Sequence, residues 1–168
     1  EPNMATMLAF LTTDAAVEPV PLQRALADAA ADTFNAITVD GETSTNDMVL
    51  LLAGSRSGVH IDDTGYPAFV DALQAVCREL ALAIVKGGEG ATKLIAITVT
   101  GARSIAEARQ TARAIANSPL VKTAVHGGDP NWGRLVAVAG RAGVEFDLAH
   151  ARVRVGEVSV CRFAFGFC

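Results

Sequence analysis

Residues 66–88 read YPAFVDALQAVCRELALAIVKGG. Within them Phe69, Val70, Leu73, Val76, Cys77, Leu80, Ala81, Ile84 and Val85 recur at the i, i+3, i+4 spacing of one helix face. Gly87 and Gly88 stop that helix. Upstream, the unbroken apolar run Met48–Ala53 suits an interior strand, and the polar stretch 54–67 is a loop. Downstream, Thr92–Thr100 is rich in Ile, Val and Thr and predicts a strand, ended by Gly101. Strand, helix and strand in succession set an α/β class.

The same alternation continues outward. Met7–Thr13 is apolar and partly β-branched, which predicts a buried strand. Pro21 is placed to open a helix through Leu22, Leu26, Ala29, Ala30 and Phe34. Ile37–Val39 is a short extended piece, and Asp40–Asp47 is a polar loop. Ser104 and Glu107 form a capping box ahead of Ile105, Ala108, Ala112 and Ile115. Asn117, Ser118 and Pro119 close that helix. Leu120–Val125 is expected to be a short strand or extended link, Leu135–Ala139 a short apolar element, and Arg152–Val160 a last strand. No repeat, linker or low-complexity tract interrupts residues 1–168, so one domain is expected. It is expected to be partial, because the chain opens in mid-pattern at Glu1 and ends on the apolar run Phe163–Cys168.

Composition excludes several classes of function. The 168 residues are 51% hydrophobic and 19% charged, enough for a real core. With a net charge of −4 and 5% aromatic residues, neither a basic groove nor a base-stacking platform is expected, so no nucleic-acid partner. No apolar run is long enough to cross a membrane, and no basic region precedes an apolar signal core. Cys77, Cys161 and Cys168 are odd in number and widely spaced, which points to reduced thiols in a cytoplasmic protein. His60, His126 and His150 have no partners at ligand spacing, so no metal site is expected.

Four stretches could carry chemistry. In Pro2-Asn3-Met4-Ala5-Thr6-Met7-Leu8, a threonine stands directly before a strand. Were the Ala5–Thr6 bond cut, Thr6 would gain a free α-amine, whose pKa of about 7.7–8.0 lets it take the hydroxyl proton near neutrality. Taken alone, Thr6 reads first as a β-former at a strand edge, ahead of the nucleophile reading. Gly87-Gly88-Glu89-Gly90-Ala91-Thr92-Lys93 fails the phosphate-loop spacing and precedes a strand, so nucleotide binding is rejected. Its Glu89 could hold a ligand ammonium group or be an ordinary turn residue. Gly127–Arg134 gathers Asp129, Asn131, Arg134 and the sole Trp132 in a glycine-rich turn. A capping and packing role is favoured there. Thr43–Asp47 is explained by hydroxyl and Asx turns.

Together the stretches are more specific than any one. Asn3–Leu8, Ser44–Asp47, Gly88–Lys93, Asn117–Ala124 and Asn131–Arg134 occur in this order, and the set resembles the bifunctional glutamate N-acetyltransferase/ornithine acetyltransferase family of arginine biosynthesis. The resemblance runs from about residue 1 to about residue 160. It implies a layered α/β sandwich with the logic of N-terminal-nucleophile hydrolases. It implies self-cleavage between Ala5 and Thr6, with residues 1–5 ending an α chain and 6–168 forming β-chain sequence in an α2β2 heterotetramer. Thr6 would be the catalytic nucleophile and a substrate-binding residue, and Glu89 would contact the amino-acid substrate. Acetyl would pass from N-acetylornithine to Thr6 and then to glutamate, yielding ornithine and N-acetylglutamate. No cofactor is implied, although some members accept acetyl-CoA. The family's oxyanion Thr-Gly pair, a substrate Lys and further C-terminal contacts fall outside this chain. Lys86-Gly87 also departs from the family's usual acidic residue before Gly88. A related N-terminal-nucleophile amidohydrolase or aminopeptidase would share Thr6 but hand the acyl group to water, and the isolated chain, lacking those parts, reads as an inactive piece.

Overall fold

The structure is a computed structural model describing residues 7–162. The expectations for Ala5, Thr6 and the 163–168 run therefore lie outside the described residues. The chain divides into two compact units, residues 1–91 and 92–168.

The first unit is built on two parallel strands, β1 (Leu8–Thr13) and β2 (Met48–Ala53), paired in register from Leu8 with Met48 to Thr13 with Ala53. A parallel pair requires a crossover, and α1 (Pro19–Ala31) supplies it. Pro19 and Pro21 both sit in the first turn of α1, where the missing N–H groups would have had no helical acceptor. α2 (Tyr66–Lys86) packs against α1. Its buried residues, Leu73, Cys77 and Ala81, recur every four positions and form the stripe that the sequence predicts. On α1, Ala25 and Ala29 are fully buried. Together with Ala9, Leu11, Phe34 and Leu51 these residues make one core, and Met7, Ile37 and Ile84 pack on its margin. The opposite face of the strand pair carries Leu8, Phe10, Leu50 and Leu52, all exposed.

The second unit holds α3 (Ile105–Ala116), α4 (Pro119–Gly127), α5 (Trp132–Gly140) and a hairpin of β3 (Arg152–Val155) and β4 (Val158–Arg162). Ile115, Val121 and Val138 form its core, with Ile97, Val125 and Leu135 against them. Half of the predicted capping box is present: Ser104 Oγ accepts from the Glu107 amide at 3.2 Å, while the Glu107 carboxylate pairs with Arg103 instead of returning to the Ser104 amide.

Three expectations for this unit are corrected. Residues 120–125 are helix, not strand. Pro119 occupies the first turn of α4, and Val121, Ala124 and Val125 turn inward at helical spacing. Residues 92–100 join no ladder among the described residues. A strand needs a neighbour as well as a composition, and Ile97 instead packs on the helical core. Finally, 152–160 is two strands, because Gly156 at φ +58° turns the chain between Val155 and Val158. Cys77 is free and fully buried, and burial pushes its thiol pKa up. Cys161 is disulfide-bonded, which corrects the expectation that all three thiols are reduced.

Candidate active site

Thr6 lies one residue ahead of the described chain, so the site is built from what holds its neighbours. Met7 is tied on both sides of its backbone. Its carbonyl accepts from the Met48 amide at 2.8 Å, the first rung of the parallel ladder. Its own amide donates to Asp47 Oδ1, also at 2.8 Å, across 40 residues of sequence. Asp47 ends the polar loop 40–47, whose turns are formed locally: the Asn46 amide donates to Ser44 Oγ, and the Glu42 amide to Asp40 Oδ1.

Glu89 sits in a four-residue turn closed by the Ala91 amide donating to the Gly88 carbonyl at 3.0 Å. Each flanking glycine has a separate reason to be there. Gly90 has φ +69° at the third turn position, a conformation that type II turns require and L residues resist. Gly88 is buried, and a Cβ there would lie 3.0 Å from Val39 Cγ1 and 3.2 Å from the Val85 carbonyl. The backbone must approach Val39 closely, and Val39 lies on the segment that leads into the loop ending at Asp47. Glu89 thus projects from a tight turn with its carboxylate exposed, and it makes no hydrogen bond or ion pair among the described residues.

The other half of the same motif is structural. Lys93 Nζ donates to the carbonyls of Val125 and His126 at 2.6 and 2.9 Å, at the C-terminal end of α4. A cation there offsets the negative end of the helix dipole. Thr92 Oγ1 lies 3.1 Å from His126 Nδ1. Lys93 in this role escapes sequence reasoning, because its acceptors are more than thirty residues away.

The loop 127–134 is structural, as favoured. Gly128 ends α4 at φ +73°, and Asn131 Oδ1 accepts from the Arg134 amide to cap α5. Arg134 Nη1 donates to the Leu120 carbonyl at 2.7 Å and to Thr123 Oγ1 at 3.1 Å, tying α5 to α4. Among the described residues no group of three or more His, Cys, Asp or Glu side chains could hold a metal ion. Nor is any described helix long and apolar enough to cross a membrane.

Residues 1–165 match the model of the ArgJ family. The arginine biosynthesis bifunctional protein ArgJ of Dehalococcoides mccartyi is 52% identical over 162 residues, covering 95% of this chain and 40% of that protein. Its namesake from Chlorobium chlorochromatii is 57% identical, covering 96% of this chain and 38% of that protein. The chain therefore spans about two fifths of the length of these relatives. The crystal structure of the Bacillus halodurans protein of the same name superposes with a TM-score of 0.89 at 42% identity, covering 94% of this chain and 76% of that one. The fold is thus the α/β fold of that structure, and the chain belongs to the ArgJ family.

Proposed function

We propose that the protein containing this chain transfers an acetyl group from N-acetylornithine to glutamate in arginine biosynthesis, and that this chain carries its nucleophile. The observation that carries this reading is the family match over residues 1–165, with relatives named as bifunctional proteins of arginine biosynthesis.

The chemistry follows from an N-terminal threonine. Self-cleavage at Ala5–Thr6 leaves residues 1–5 at the end of an α chain and Thr6 at the head of a β chain. The free α-amine of Thr6 takes the proton as its hydroxyl oxygen adds to the acetyl carbonyl of N-acetylornithine. The amide C–N bond then breaks, the leaving nitrogen takes the proton, and ornithine departs. The acetyl group remains as an ester on Thr6. The amine of glutamate attacks that ester, the C–O bond breaks, and Thr6 recovers its hydroxyl as N-acetylglutamate leaves. The negative oxygen formed at each addition requires preorganised donors, which the family resemblance puts in α-chain sequence beyond this segment.

Glu89 binds the amino-acid substrate. Its exposed carboxylate has no cationic partner among the described residues, so a substrate ammonium group suits it. Acetyl-CoA is a further candidate donor, needing the same ester and no cofactor. The assembly is a cytoplasmic heterotetramer of two α and two β chains.

The test is Thr6→Ala in the full-length protein. It is expected to abolish both the backbone cut, read by intact mass, and acetyl transfer to glutamate, read by product formation. Persistence of either activity sinks the assignment. Release of acetate without N-acetylglutamate would instead identify an amidohydrolase.

A further inference from the structure

The loop 43–47 is built on local turns, yet one of its side chains reaches the start of β1. In the parallel register, the Met7 carbonyl takes the Met48 amide, and the next acceptor for the Met7 amide would be the backbone carbonyl of Asn46. Asp47 Oδ1 takes that place at 2.8 Å. A carboxylate accepting from a backbone amide makes a short, charge-assisted bond, stronger than the neutral rung it replaces. Among the described residues, the ladder is thereby extended by one side chain beyond its first backbone rung.

We propose that Asp47 is a positioning residue for the nucleophile, a role that rests on the reading of Thr6 above. The amide that Asp47 holds belongs to the peptide unit joining Thr6 to Met7. That unit is planar and rigid, so fixing its N–H fixes the plane from which the threonine departs. Asp47 acts through the backbone and touches no substrate. The polar loop before β2 thus serves the strand beside it, which accounts for a carboxylate at its last position. Bringing a nucleophile out of line by about 1 Å can cost on the order of 10²-fold in rate, which sets the scale of effect expected when the Asp47 bond is lost.

The experiment uses the full-length protein with Asp47→Ala, Asp47→Asn and Thr6→Ala. Cleavage at Ala5–Thr6 is followed by intact mass. Values of kcat and KM are measured for N-acetylornithine and for glutamate on the cleaved fraction, with melting curves as a control of folding. Asp47→Ala is expected to slow cleavage and lower kcat by about tenfold to 10²-fold, with both KM values within about twofold of the parent. Asp47→Asn keeps a side-chain carbonyl acceptor and is expected to recover most of both rates. If Asp47→Ala does not fold, Asp47→Ser, one atom too short to reach the amide, is judged by the same criteria. Parent-like cleavage and kcat in Asp47→Ala would overturn the proposal. So would a raised KM at unchanged kcat, which marks a substrate contact, or an Asn variant as slow as the Ala variant. Thr6→Ala separates the two claims. If it stays active, the nucleophile reading itself fails. If it is dead while Asp47→Ala is parent-like, only the role of Asp47 falls.

Discussion

Two glycine-rich turns carry charged residues in this chain, and they use them in opposite ways. The turn at 88–91 presents Glu89 to solvent with no protein partner among the described residues. Residues 128–134 place their polar and charged groups in the protein: Asn131 caps α5, its side-chain Nδ2 donates to Asp129 Oδ2, and Arg134 reaches the Leu120 carbonyl and Thr123. A polar group whose bonds are already made within the chain is a poor ligand contact, because binding must first break them. Glu89 has no such bonds to lose. By composition the turns are alike; the state of satisfaction of their charged groups separates a candidate contact from a brace.

Substitutions can break this contrast. Gly88→Val should have the largest effect on stability, about 2 kcal/mol, since its Cβ would meet Val39 and the Val85 carbonyl. A melting curve unchanged from the parent would mean that the close approach is not needed to shape the turn. Arg134→Ala should cost about 1 kcal/mol by removing the two hydrogen bonds that tie α5 to α4, without altering KM beyond what destabilisation explains. Urea unfolding beside steady-state kinetics reads both, and a stable variant with raised KM would turn the brace into a contact.

A smaller effect compares two helix caps in the same unit. Asn131→Ala should lose about 1 kcal/mol, since its side chain caps α5. Ser118→Ala should stay within about 0.5 kcal/mol, or gain slightly, because the buried Ser118 Oγ has no hydrogen-bond partner among the described residues. Equal losses in thermal unfolding would show that Ser118 is capping after all. Glu89→Gln should have the smallest effect on stability, within about 0.5 kcal/mol, while raising KM for ornithine-type or glutamate substrate about tenfold. If instead the fold is lost at unchanged KM, Glu89 belongs with Arg134 as a brace.

Legibility in the sequence follows the range of the interactions. α2 was legible because its stripe repeats over five turns, and α3 because Ser104 and Glu107 stand three residues apart. α4 was not, because Leu120–Val125 is short and apolar, a case in which periodicity cannot tell strand from helix. The signal that could have found it is Ser118-Pro119, which ends one helix and also starts the next. Of the site, the motif Gly88–Glu89–Gly90 was legible as a turn with an exposed carboxylate. The link from Asp47 to Met7 was hidden, since in sequence Asp47 looks like any loop Asp.

The amino-acid sequence by itself determined the α/β class, the helix stripes, the Ser104 cap, the glycine turns and the ordered motifs that mark the family. Each depends on residues a few positions apart, or on residue identity alone. Only the tertiary structure decided which strands pair and in what register, that 92–100 enters no described ladder, that Lys93 and Arg134 brace α4, and that Asp47 holds the strand start. These depend on groups brought together from distant positions. Hydrogen-bonding capacity is written in a residue, but its partner is chosen only when the chain closes around the core.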